Sequence, residues 1–177
     1  MLELQAHPSS GPSAFRVFAS FEVKKQSVIV DFDVHADSLN ISNEFNKENW
    51  DNPGLWDFDV VEVFIQKKSS ANHYLELQVS PADQKFALLV KTPREDYEKV
   101  IKLASKAVAT RTDSGFKASF NIELKDIPGE GEEIFANFHA CLGKKDSRSY
   151  FSYKLNEGKQ ADFHRPEFFE RIGSINE

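Results

Sequence analysis

The chain is predicted to be all-β, an antiparallel β-sandwich or jelly roll of two packed sheets, and three features of its 177 residues predict this. Val, Ile and Phe recur in short runs where apolar and polar residues alternate, the period of a half-buried strand. Aromatic and β-branched residues dominate these runs, with 16 Phe against a single Met. Clusters of Pro, Gly, Asn, Asp and Ser interrupt them at short intervals, as turns do in a sandwich. At 40% hydrophobic content, a chain of this length suits one domain, residues 1–177, with a sizeable core.

Residues 1–13 read as a flexible lead-in, since His7 to Ser13 is rich in Pro, Ser and Gly. Phe15, Val17, Ala19 and Phe21 then alternate as the first strand. Lys24 to Ser27 turns the chain into a second, with Val28, Val30, Phe32 and Val34 on one face and Asp31, Asp33 and His35 on the other, so a hairpin is the simplest connection. Ala36 to Asp51 has no clean period and reads as a long loop of the kind that often carries function. It runs into Asn52-Pro53-Gly54, a forced turn, and then into a strand at 59–66. There Val61, Val63 and Ile65 can face a core while Val60, Glu62, Phe64 and Gln66 face the other way.

After a polar turn at Lys67 to Asn72, Leu75, Leu77 and Val79 share one face of a strand, with Tyr74, Glu76 and Gln78 opposite. Phe86, Leu88 and Val90 continue the meander. Between Arg94 and Lys106, Tyr97, Val100, Ile101 and Ala104 repeat at helical spacing behind Glu95 and Asp96, which predicts one short helix near 94–106. Lys106 to Arg111 and Phe116 to Leu124 flank a Thr-Asp-Ser-Gly hairpin turn, and Pro128 to Gly131 is a loop. Glu133 to Leu142 and Tyr150 to Leu155 supply two further strands, for nine or ten in all, and 156–177 reads as a polar then aromatic tail.

A formal charge of -6 and a pI near 5.4 argue against a nucleic-acid partner, which needs a concentrated basic surface. Lys144, Lys145 and Arg148, the one basic cluster, read as a solvated turn. No segment is long and apolar enough for a membrane helix, and the opening residues lack the pattern of a secretory leader. As written the chain reads as cytoplasmic; a periplasmic or secreted setting follows if a leader has been removed, and localisation stays open. Cys141, the single cysteine, permits no internal disulfide and no thiolate metal cluster.

No nucleophile elbow and no Cys-His arrangement occurs, and His7, His35, His73, His139 and His164 are too scattered for a zinc motif. The reading therefore includes no cofactor. Calcium as a structural ion on Asp31, Asp33, Asp37 or the loop acids lacks an EF-hand spacing to support it. Trp56, carried between the forced turn and a patterned strand, either plugs one end of the sandwich or displays its ring to a ligand. Glu62 and Glu76 stand opposite the apolar stripes of neighbouring strands, where they serve as solvent-facing groups, as acceptors for sugar hydroxyls, or as a glycoside hydrolase pair.

Three stretches, in order, resemble family 9 carbohydrate-binding modules and the wider DOMON-like β-sandwiches. Pro53-Gly54-Leu55-Trp56-Asp57-Phe58-Asp59-Val60-Val61-Glu62-Val63-Phe64 is similar to the family's Pro-x-x-Trp-x-x-Asp-x-Val-Glu-x-Phe pattern. Phe135 to His139 resembles its late strand with a central Asn137, and Asp162 to Phe169 resembles its closing aromatic-x-x-Pro-x-x-Phe element, which here includes Arg165. The resemblance implies a non-catalytic module that holds a sugar or oligosaccharide end, of glucan or xylan type, between two rings. Trp56 matches the first clamp position and Phe163 the second, where described members carry a Trp. Glu62 matches a hydroxyl acceptor, His139 falls where a polar contact is expected, and Glu76 or Gln78 lies on the strand that elsewhere gives a basic contact. DOMON-like relatives also hold haem through Met with His or Lys; here the one Met is Met1, and a bis-His pair of His139 and His164 would be needed. A protein partner for the same cleft is the remaining alternative.

Overall fold

The computed structural model describes residues 1–10, 13–70, 72–156 and 158–176. Alternation of apolar and polar residues builds two antiparallel sheets. In the five-stranded sheet, β3 (Arg16–Val23) and β4 (Ser27–His35) form the expected hairpin, and β4 pairs along its whole length with β10 (Gly115–Glu123). Strand β9 (Lys106–Thr112) closes one edge on β10, and β1 (Leu2–Glu3) closes the other on β3. Gly115 is essential to the β9–β10 turn: its φ is +142°, and a Cβ there would stand 1.9 Å from the Val34 carbonyl oxygen.

The larger sheet runs β2 (Gln5–Ala6), β12 (Ser149–Ser152), β11 (Glu133–Leu142), β5 (Val60–Lys67), β6 (Tyr74–Val79), β7 (Lys85–Thr92), β8 (Asp96–Lys99). Strand β13 (Glu170–Ser174) lies beside the start of β11. The sheets sandwich one core. Val61, Val63, Ile65, Leu75, Leu77 and Phe138 from the large sheet meet Val30, Phe32, Phe116 and Phe120 from the small one, all essentially inaccessible to water. Each such fully buried side chain contributes roughly 1.5–3 kcal/mol.

The opposite face of the large sheet is also covered. Val60, Phe64, Tyr74, Phe86, Leu88 and Val90 form a second apolar cluster there with Leu55, Cys141 and Phe169. This face, roofed by loops instead of a sheet, holds the site.

Three expectations are corrected. No helix forms over 94–106: Glu95 N–H donates to the Thr92 carbonyl across a turn in which Arg94 has φ 66°, and Asp96–Lys99 pairs with β7 as an edge strand. The helical stripe fails because Val100 and Leu103 pack on the core while Ile101 stays exposed, so no single face is buried. The opening residues, expected as a flexible lead-in, pair with both sheets, and Leu4 between β1 and β2 is buried in the core. The closing tail likewise supplies β13, with Ile172 buried, so short edge strands raise the count to thirteen among the described residues. Among the described residues no helix is long and apolar enough to cross a membrane.

Candidate functional site

The long loop before β5 is held by side-chain amides. Asn52 donates to the Lys85 carbonyl at 2.8 Å and accepts from Asn46 N–H, and Gln84 donates to the Ser42 carbonyl at 2.7 Å. Asp59 accepts from the backbone N–H of Asn40 and of Gly143, at 2.8 and 2.6 Å. Gly54, at φ 91°, then completes the turn predicted at Asn52-Pro53-Gly54, with Leu55 N–H donating to the Asn52 carbonyl. In the 3₁₀ turn that follows, Leu55 is driven into the second apolar cluster, which turns Trp56 outward. The Trp56 indole leans on Phe86 at 5.2 Å between ring centres yet stays 42% exposed. Trp50, by contrast, is a core residue.

Arg148 organises this turn. Its guanidinium donates to the carbonyls of Trp56, Asp57, Phe58 and Gly143, so it is no mere solvated turn residue. A fork of fixed donors suits four carbonyls presented by two converging loops.

Trp56 forms part of the wall of an open cleft of about 1210 Å³ on the outer face of the large sheet. Phe163 lines the same cleft, on a strap between β12 and β13 that several contacts pin down. Arg94 pairs with Asp162, the Tyr74 hydroxyl is hydrogen bonded to His164 Nδ1 at 2.7 Å, and Phe163 stacks on His139 at 4.0 Å and 13°. Phe64, Phe86, Leu88, Val90, Tyr97 and Tyr150 complete an apolar and aromatic lining.

The floor is polar and buried. Glu62 on β5 and Glu76 and Gln78 on β6 all line the cleft, each 3% exposed or less. Gln78 donates to Glu76 Oε1 at 2.7 Å, and the Cys141 thiol lies 4.0 Å from Glu62 Oε1. Glu76 Oε2 and Gln78 Oε1 have no hydrogen-bond partner among the described residues. Burial pushes the Glu76 carboxyl up to about 7, against a smaller opposing pull from the Gln78 hydrogen bond. Burial also raises Glu62 well above the usual carboxylate range, helped by the neighbouring Glu76 charge and opposed by Arg148. Near neutral pH the pair therefore holds a proton.

Of the residues singled out in the sequence, Trp56, Phe163, Glu62, Glu76 and Gln78 come together in the cleft. Asn137, His139 and Arg165 do not line it. Asn137 donates to the Lys154 carbonyl at 2.9 Å and accepts from Lys154 N–H, tying β11 to the strap. His139 is buried beneath Phe163, bonded to Ser152 at 2.8 Å, with its protonation strongly disfavoured by burial. Arg165 lies at the surface, paired with Glu167 and over the Phe168 ring. Sequence reading missed Arg94, Tyr97, Arg148, Tyr150 and His164 as cleft residues. Asp96–Lys99 carries a single apolar residue, Tyr97, and is exposed throughout, so no alternation marked it as a strand. Among the described residues no group of three or more His, Cys, Asp or Glu is placed to hold a metal ion.

No family model matches the chain. Over 124 residues it is 31% identical to the UPF0462 protein C4orf33 homolog of Danio rerio, covering 67% of this chain and 60% of that protein. The Mus musculus homolog is 29% identical over 122 residues, covering 66% of this chain and 61% of its own length. The chain thus spans about three-fifths of the curated relatives it matches. Its fold is similar to that of a candidate carbohydrate-binding protein from Bacteroides uniformis ATCC 8492, at TM-score 0.77 and 13% identity over 95% of this chain and 83% of that one. A family 9 carbohydrate-binding module from Caldicellulosiruptor kristjanssonii in complex with glucose matches at TM-score 0.58 and 14% identity, over 94% of this chain and 82% of that one. The cellotriose complex matches at TM-score 0.59 and 14% identity, over 95% and 80%. At such identities the likeness concerns the fold.

Proposed function

We propose that the cleft binds a saccharide without chemically altering it, holding a sugar ring against Trp56 and accepting hydrogen bonds from its hydroxyls at the floor. The observation that carries this reading is the pairing of an exposed indole wall with buried acceptors, Glu76 Oε2 and Gln78 Oε1, that have no hydrogen-bond partner among the described residues. The C–H face of a pyranose packs on an aromatic ring, and its hydroxyls supply the donors that those acceptors lack. Phe163 offers a second ring in the same cleft. The similar folds described as carbohydrate-binding, two of them family 9 modules with glucose or cellotriose bound, support the same class of ligand. Oligosaccharides of glucan or xylan type are the first to test.

Titration calorimetry with glucose, cellobiose and xylobiose tests the reading. Wild type is expected to bind at least one of them with a dissociation constant between roughly micromolar and millimolar. Trp56→Ala is expected to cost about 2 kcal/mol, some thirtyfold in affinity, with the fold retained. Folded wild type that binds no sugar at tens of millimolar would overturn it.

A further inference from the structure

Glu62 lies across from Gln78, and Glu76 lies across from Phe64, so the two carboxyls are diagonal neighbours on one face of the β5–β6 pair. Diagonal neighbours of this kind lie within about 7–8 Å, closer between Cβ atoms. Both are buried, and both line the cleft. Of the cations that line the cleft, Arg148 is engaged by four carbonyls, Arg94 by Asp162 and Lys99 by Asp51, and Lys145 forms no ion pair with either carboxyl. His164 Nδ1 stands 3.9 Å from Glu76 Oε2 but is engaged by the Tyr74 hydroxyl. Two carboxyls in a desolvated floor, which together hold a proton near neutral pH, thus have no protein cation in close contact among the described residues, and Glu76 Oε2 and Gln78 Oε1 have no hydrogen-bond partner there.

A primary ammonium brings three donors and one positive charge, whereas a hydroxyl brings one donor and none. The floor offers acceptors to match: Glu76 Oε2, Gln78 Oε1 and the Glu62 carboxyl. Phe64, Phe86, Tyr97 and Trp56 add aromatic surface, which also attracts a cation. Resting on the saccharide reading above, we infer that the ligand is an amino sugar, whose free ammonium seats on the floor against Glu62 and Glu76 while the ring packs on Trp56. N-Acetylation removes the charge and leaves one N–H donor, so an acetylated sugar loses this contact.

The test is calorimetric titration of the full chain near neutral pH with glucosamine, N-acetylglucosamine and glucose, and with their β-1,4-linked dimers. Glucosamine and its dimer are expected to bind about tenfold or more tighter than the neutral counterparts, as a charge-assisted contact should. That preference is expected to vanish in Glu76→Gln and in Glu62→Gln, two near-isosteric changes whose folding is verified by thermal melts. Equal affinity for amine and neutral sugars would overturn the inference while leaving saccharide binding in place. Failure of all six sugars to bind folded wild type would overturn both.

Discussion

Glu76 carries a stability consequence independent of any ligand. Its carboxyl is raised from the ordinary range to about 7, chiefly by burial, so the folded state binds a proton that the unfolded chain has released by then. The stabilising effect of that proton is complete below the unfolded value of about 4.5 and is lost as pH rises through about 7. Its size is on the order of 3 kcal/mol. His139 and His164 act in the opposite sense, since burial lowers both and their stability contribution falls on acidification. The comparison that isolates the carboxyl is therefore wild type against Glu76→Gln. Melting temperatures taken at about pH 5 and about pH 8 should show the variant gaining stability relative to wild type at the higher pH. A constant difference between the two proteins across that range would count against a buried, proton-holding Glu76. At this scale the sequence was informative wherever alternation decided orientation: Glu62, Glu76 and Gln78 had to share a face. Asn137 and His139 lie on that same face, but the strap covers them, and nothing local to β11 announces a roof made of residues from β12 to β13.

Among the elements, the long loop and the strap decide whether the sheet face is a surface or a site. Asn52, Gln84 and Asp59 fasten the loop, and Arg148, from the turn before β12, fastens its tip. The Asn-Pro-Gly turn was legible because its backbone needs a left-handed residue at Gly54. Arg148 was not, because three of its four carbonyl partners lie about ninety residues away in sequence. The N-terminal strands pose a parallel case, since two-residue strands lack any period to detect. Leu4 nonetheless sits between them, 3% exposed, with its N–H donating to the Val17 carbonyl at 2.8 Å. Leu4→Ala should cost about 2–3 kcal/mol, a drop of roughly 5–10 °C in melting temperature. A melting temperature unchanged within a degree would return these residues to the status of a lead-in.

For the molecule as a whole, the two faces of the large sheet have different partners. One is sealed by the small sheet through Phe32, Phe116 and Phe120; the other is closed by loops that leave a cleft. The core supplies rigidity, and the second face carries the cleft proposed to bind a saccharide. A saccharide that binds only the folded state stabilises it by mass action, about 2.7 kcal/mol at one hundred times its dissociation constant. Thermal melts with saturating sugar should therefore rise by roughly 5–10 °C for a chain of this size. Trp56→Ala, binding about thirtyfold more weakly, should show only about a third of that rise at the same sugar concentration, and an equal rise in both proteins would place the sugar elsewhere.

The amino-acid sequence by itself determined the two-sheet all-β class, the main strands, and the faces on which Glu62, Phe64, Glu76 and Gln78 lie. The reason is that side-chain direction in a strand is a local property with a period of two, and turns declare themselves through Pro and Gly. Only the tertiary structure decided that Asp96 to Lys99 is an edge strand and that residues near both termini join the sheets. It also decided that Arg148 supports the Trp56 turn, and that His139 lies under Phe163 while Glu62 and Glu76 open onto a cleft. Those outcomes depend on contacts between segments far apart in the chain, where the winning arrangement is the one that buries apolar surface and satisfies backbone polar groups together.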